Sequence, residues 1–553
     1  MTDTVQAQLR DLAQDNGIAL MAGDRTWTWA EYIAGAGARA NAVQALLSPD
    51  RPAHVGLLFE NTPEMAFGLA AAALAGQVSV GLNLTRRGNG LRDDIFRADC
   101  QVVLTDAQQL PLLDGLDLTG VQVIDTDGPD WDRMIAEHSG PVRAPREVDT
   151  NDPFMLIFTS GTSGSPKAVP VSNFMVLMSG ANLVDRFGLG QSDVCYLSMP
   201  LFHSNAILAG YAVAIGSGAA MALAPRFSAS AFLPDVRRYG ATYMNYVGKP
   251  LAYLLRTPKK PDDDDNPLRV AFGNEASDRD ITEFAQRFGV TVRDGFGSTE
   301  TAVIITREPG TPPGSIGLPW DGVTVYDRAT RTECPRAVRD ADGAVTNLDQ
   351  AVGELVNVNG AGFFLGYYND PQATAERMDG GIYWSGDLAY RDEAGYVYLA
   401  GRTSDWLRVD GENLAAGMIE QILIRHPAVN QVAVYGIPDP LVGDQLVAAL
   451  VLHPDRPLDP AGFGRFLAAQ SDLSAKGWPK YVRLARELPS TATNKVLKRE
   501  LISQGLDFTD PYWIRPERSR SYTDARTELG PPAGLRATEP QATEPPHTAR
   551  RPG

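Results

Sequence analysis

Glycines, two prolines, a cluster of hydroxyls and one lysine crowd into thirteen residues, "FTSGTSGSPKAVP" at 158–170, directly after the apolar run Phe154-Met155-Leu156-Ile157. A Gly-rich turn at the end of a strand lets consecutive backbone N–H groups converge on an anion. The Ser and Thr hydroxyls add donors, and Lys167 adds a charge, so phosphate is the guest this chemistry suits. The plain alternative is a flexible polar turn without a ligand. The pattern is not G-x-x-x-x-G-K-[ST]: Lys167 follows Pro166, and Ala168 stands where a Ser or Thr would bind magnesium. An ordinary P-loop NTPase is thereby disfavoured. Eight of the fifty basic residues are lysines, so lysine is used sparingly; a second one, Lys495, lies in the polar stretch "LPSTATNKVLKREL".

Seven further segments follow in order: "PLFHSNA" (200–206), "GNEAS" (273–277), "DGFGSTE" (294–300), "GELVNVNGAGFFLGYYNDPQAT" (353–374), "YWSGDL" (383–388), "GRTSDWLRVDGENL" (401–414) and "LPSTATNKVLKREL" (488–501). With the opening loop, this ordered set resembles the signatures of the adenylate-forming superfamily, which includes acyl-CoA synthetases, luciferases and peptide-synthetase adenylation domains. The resemblance covers roughly residues 10–510 and points to the acyl-CoA ligase branch. In that family a carboxylate attacks the α-phosphorus of ATP, giving an acyl-adenylate and pyrophosphate, and a thiol, usually that of coenzyme A, then displaces AMP.

The resemblance implies roles residue by residue. Thr159, Ser160, Gly161, Thr162, Ser163, Gly164 and Lys167 would cradle the β- and γ-phosphates, Thr299 would contact the α-phosphate, and Glu300 would ligate magnesium. Asp387 and Arg402 would hold the ribose. Gly273, Asn274, Glu275 and Asp294 would border the adenine, with Phe296 stacked on its face. His203 falls where the family places a gate between acyl pocket and thiol tunnel. Asn205, Tyr246, Val247, Gly248, Gly295, Gly297 and Trp320 would line the acyl pocket. Lys495 would serve adenylation. A hinge at Asp405 would then exchange it for the "VDGENL" segment, where Gly411 and Glu412 meet the pantetheine.

Four positions depart from the family's habit: Asn494 before Lys495, Ser404 before Asp405, Ala168 after Lys167, and Ser385 before "GDL". Three of them flank residues that serve the first half-reaction. The leading expectation is an acyl-CoA ligase for a hydrophobic carboxylic acid, fatty, aromatic or polycyclic. One alternative is a ligase that only forms the thioester from an acyl-adenylate supplied by a partner adenylating enzyme. Another is a stand-alone enzyme that loads a carrier protein.

The elements that must position these residues read as α/β. From about residue 17 to 400, short β-rich runs such as "AHVGLLFE" alternate with Ala/Leu-rich stretches such as "TPEMAFGLAAAALAG", the pattern of layered, largely parallel sheets. Residues 66–81 read as a buried helix running into a strand, and "PKKPDDDDNP" (258–267) as a solvated loop. A smaller α+β pattern restarts near residue 402. The expected layout is a large N-terminal domain, 1–401, a small mobile C-terminal domain, 402–514, and a Pro- and Arg-rich disordered tail, 515–553.

A formal net charge of -17 disfavours nucleic acid and anionic membranes as partners. Three widely spaced cysteines, Cys100, Cys195 and Cys334, fit neither a disulfide framework nor a zinc site and suit a reducing cytoplasm. No apolar segment reaches the length needed to span a bilayer.

Overall fold

The computed structural model describes residues 3–143, 147–159, 166–341, 345–402, 406–409, 412–439, 443–470, 473, 475–490, 496–516 and 519–525. They fall into two compact units. The first is built from residues 1–337 and 350–399, the second from 338–349, 400–490 and residues from 496 on.

In the first unit a six-stranded sheet runs Gln122–Asp125, Val102–Thr105, His54–Leu58, Val78–Gly81, Pro153–Thr159, Lys167–Ser172. All neighbours are parallel except the last pair, an antiparallel hairpin in which Thr159 faces Lys167. Strands buried on both faces need continuous apolar runs, and His54–Leu58 and Val102–Thr105 are buried throughout. The helix Pro63–Ala75 begins where the Thr62 hydroxyl accepts the Met65 N–H and ends at Gly76, whose φ of 70° only glycine adopts without strain. Eleven of its residues are buried and Val78–Gly81 follows, as the sequence pattern predicts.

A seven-stranded sheet runs Thr291–Gly295, Val270–Asn274, Tyr243–Val247, Val194–Leu197, Ala220–Leu223, Ile18–Ala22, Arg25–Thr28. Its first six strands are mutually parallel. Their C-terminal ends therefore lie along one edge, where open α/β sheets place ligands. A third, antiparallel sheet contains Val323–Asp327, Gly353–Asn357 and Ile382–Arg391.

The second unit is α+β. The hairpin of Val429–Asp439 and Gly443–Leu452 is extended by Tyr481–Leu484 and flanked by helices Ala416–Leu423 and Pro460–Ala468.

The acidic run is a mostly exposed loop, as its composition predicts, with one buried anchor. Within the acidic run, Asp263 is buried: Arg287 donates to it from Nε at 2.7 Å and spends its other N–H groups on carbonyls of Leu254, Leu255, Thr257 and Pro258 and on the Thr257 hydroxyl. One arginine distant in sequence thus anchors a loop that is otherwise solvated. One expectation from composition needs correction: order extends past residue 514, because Thr523–Asp524 pairs with Tyr512–Ile514 and Tyr522 is buried against Phe463 and Trp478. A single aromatic supplies the apolar surface that the average composition of the segment hides. Among the described residues no helix is long and apolar enough to cross a membrane.

Candidate active site

The hairpin pair Thr159–Lys167 closes the loop holding Ser160, Gly161, Thr162, Ser163 and Gly164, which lie outside the described residues. Arg97 fastens its far side, donating from Nη1 to the Pro166 carbonyl at 2.6 Å. Alternation along Lys167–Ser172 sends Ala168 into one core cluster, with Leu156 and Phe158, and Val169 into another, with Tyr367 and Leu355. Ala168 is thus a packed strand residue. Lys167 extends to Asp370, with Nζ–Oδ2 at 2.6 Å.

Along the ligand edge of the seven-stranded sheet, three neighbouring strands end in residues singled out above: Val247, Asn274 and Gly295. Gly273 must be glycine: a Cβ there would lie 2.2 Å from the Tyr246 carbonyl oxygen and 2.5 Å from its ring. Glu275 follows with a φ of 66°. Asn274 donates to the Gly295 carbonyl at 2.7 Å and accepts from Asn205 at 3.0 Å, and Asn205 in turn accepts from Asn245 at 2.7 Å. These amides tie the "FHSNA" segment to three neighbouring strands. The Gly248 N–H donates to the Asn274 carbonyl at 2.7 Å, with Val247 half-buried beside it. Asp294 accepts from the Tyr246 hydroxyl at 3.0 Å and the Ala276 N–H at 3.1 Å. Burial nevertheless pushes its carboxyl up to about 7.

His203 precedes a turn that runs into a π-helical segment, Ile207–Tyr211. Burial pushes its imidazole down to about 4, so the ring is neutral near pH 7, and its Nε2 has no partner among the described residues. The next residue, Ser204, meets Thr299 hydroxyl to hydroxyl at 2.9 Å. Glu300 is buried and accepts the Tyr367 hydroxyl on Oε1 at 2.8 Å. Phe296 is half-buried, forming a bridge to Ile305, and Gly297 is exposed with open space beside it. Asp387 is buried in Ile382–Arg391, its N–H donating to Ser385 Oγ at 3.0 Å, next to Gly386 with a φ of 78°. Arg402 ends the strand Val397–Arg402 and belongs to the second unit.

Not every expected residue joins this group. Trp320 is 42% exposed and donates from its indole nitrogen to Thr306 Oγ1 at 2.9 Å. Glu412 lies in the strand Glu412–Ala415 of the second unit. Asp405, Gly411, Lys495 and the flanking Ser404 and Asn494 lie outside the described residues. Sequence reasoning passed over Ser204, Asn245, Tyr367, Asp370 and Arg377. The local signal for the last three was the "GYYNDPQATAER" run, where Asp-Pro marks a helix start.

Comparison with known proteins agrees with this geometry. The AMP-binding enzyme family profile matches residues 10–368, and the AMP-binding enzyme C-terminal domain matches 418–495. A medium/long-chain-fatty-acid–CoA ligase, FadD17 of Mycobacterium marinum, is 50% identical over 94% of this chain and 99% of its own length. Steroid-22-oyl-CoA synthetase of Rhodococcus jostii is 45% identical over 92% and 93%. Among solved structures, the Bacillus subtilis O-succinylbenzoate coenzyme A synthetase in complex with ATP and magnesium ion superposes with a TM-score of 0.71 at 25% identity, covering 89% of this chain and 98% of that one. The chain belongs to the AMP-binding enzyme family, as an AMP-forming acyl-CoA ligase of the adenylate-forming superfamily.

Proposed function

We propose that the edge holding His203–Asn205 and Thr299–Glu300 is the reaction centre, and that the chain runs both half-reactions there on a hydrophobic acid of the medium- to long-chain or steroid side-chain class. The observation that carries this is the 2.9 Å contact of Ser204 with Thr299, which sets the acyl-side segment directly against the nucleotide-side segment. The two relatives named above support the substrate class.

The substrates are ATP, the acid and coenzyme A. In the first step a carboxylate oxygen attacks the α-phosphorus and pyrophosphate leaves. Lys167 and the Thr299 hydroxyl stand ready for the charge on the phosphate oxygens, where preformed donors contribute most. In the second step the thiol sulfur attacks the acyl carbon and AMP leaves. The neutral His203 adds no charge that would hold the AMP phosphate back, and its Nε2 can accept a hydrogen bond there. Among the described residues no group of three or more His, Cys, Asp or Glu could hold a metal alone. Magnesium binds through one or two carboxylates plus substrate phosphates. Glu300 would hold it, and bound magnesium supplies charge neutralisation to the phosphate oxygens.

Ala168 gives no reason for a lost first step, because its methyl packs into the core away from Lys167. Thioester formation from ATP, coenzyme A and a panel of fatty, aromatic and steroid-derived acids tests the reading. Turnover confined to small polar acids would remove the substrate class. Thr299→Val should lower pyrophosphate exchange by about a hundredfold, the loss typical of removing one preorganised donor.

A further inference from the structure

Lys167 and Glu300 are held from opposite ends of one short helix, Pro371–Arg377. The helix starts on Asp370, whose Oδ1 accepts the Ala373 N–H at 3.0 Å while Oδ2 receives the Lys167 ammonium at 2.6 Å. Both side chains of this ion pair are largely shielded, 17% and 24% exposed, and the lysine holds the Asp370 carboxyl below its ordinary range.

At the other end Arg377 donates from Nε to the Tyr367 hydroxyl at 3.3 Å and from Nη1 to the Trp384 carbonyl at 3.1 Å. A guanidinium can only donate. The tyrosine oxygen must therefore accept there and aim its own proton at Glu300 Oε1, 2.8 Å away. This leaves Oε2 of Glu300 without a hydrogen-bond partner among the described residues.

The seat of the helix is shaped for this. A Cβ on Gly386 would lie 2.7 Å from Arg377 Nη1. The Tyr367 N–H donates to Thr374 Oγ1 on the helix at 2.8 Å, and the Tyr368 N–H donates to the Ala168 carbonyl at 2.8 Å, beside Lys167. Asn357 donates to the Ala302 carbonyl at 2.8 Å, fixing the chain just past Glu300. Strand, helix and turn are thus stitched together on both sides of the two charges.

We propose that this helix, with Tyr367, is a brace that sets Lys167 and Glu300 relative to one another before nucleotide arrives, and that Asp370, Tyr367 and Arg377 are positioning residues for adenylation. The proposal rests on the reading of Lys167 as a phosphate ligand and Glu300 as the magnesium ligand. The two ends divide the task. Tyr367→Phe deletes only the proton aimed at Glu300, whereas Asp370→Asn deletes the charge beside Lys167 and keeps a side chain able to cap the helix.

Calorimetric titration of the full chain with ATP at graded magnesium concentrations tests this, alongside thioester formation from preformed acyl-adenylate and coenzyme A, which needs neither ATP nor magnesium. Tyr367→Phe should raise the magnesium concentration for half-maximal ATP binding about tenfold, the usual effect of removing a residue that orients a metal ligand. Asp370→Asn should weaken ATP binding about tenfold at saturating magnesium without moving the magnesium requirement. Both variants should keep the thioester step within about twofold of the unmodified chain. ATP binding that is unchanged in both variants, or equal losses in binding and in the thioester step, overturns the brace. Failure of the unmodified chain to bind ATP with magnesium overturns the reading of the site and the brace with it.

Discussion

Asp294 carries an electrostatic cost that a single substitution can expose. Its carboxyl is raised to about 7, chiefly by burial, and the Tyr246 hydroxyl and Ala276 N–H only partly offset this. A folded-state value above the unfolded one near 4 means that the folded chain binds the extra proton. The favourable contribution is full below about pH 4 and is lost as pH rises towards 7. An asparagine oxygen can accept the same two hydrogen bonds without ionising. Asp294→Asn should therefore raise the melting temperature at pH 8 and give a gain that shrinks as pH falls to 5. A gain independent of pH would point to packing instead. Gly273→Ala tests a steric claim on the neighbouring strand. With a Cβ 2.2 Å from the Tyr246 carbonyl oxygen, it should cost at least about 1–3 kcal/mol in denaturant unfolding.

At the scale of elements, Tyr522, next to the short strand Thr523–Asp524, belongs to the core of the second unit. The Tyr522 ring packs against Phe463 and Trp478, and its hydroxyl donates to the Pro479 carbonyl at 2.8 Å. Tyr522→Ala should cost about 3–5 kcal/mol. Calorimetry would register it as an earlier unfolding transition, and an unchanged scan would contradict the packing role. This strand and the Asp263–Arg287 anchor were illegible in the sequence for the same reason: composition averages over a window, while one aromatic or one arginine decides the outcome. The α/β alternation, the buried helix Pro63–Ala75 and the α+β restart were legible because each repeats a local signal over many residues. The site divides likewise. Lys167, Glu300 and Asp387 sit inside local motifs. Asp370 reaches Lys167 across 203 residues and Tyr367 reaches Glu300 across 67, partnerships that only the folded strand order brings together.

For the whole molecule, the net charge of -17 and the parallel strand edge suit an enzyme for small substrates, one of them a nucleotide held by a few local cations and backbone donors. The central claim is that one edge, with Ser204 against Thr299, serves both adenylation and thioester formation. The most direct test is acid-dependent ATP–pyrophosphate exchange by the unmodified chain with a long-chain acid and a steroid-derived acid, measured beside thioester formation from the matching preformed acyl-adenylate. The account predicts that exchange and thioester formation occur with the same acid. Thioester formation from the adenylate without any exchange would contradict it.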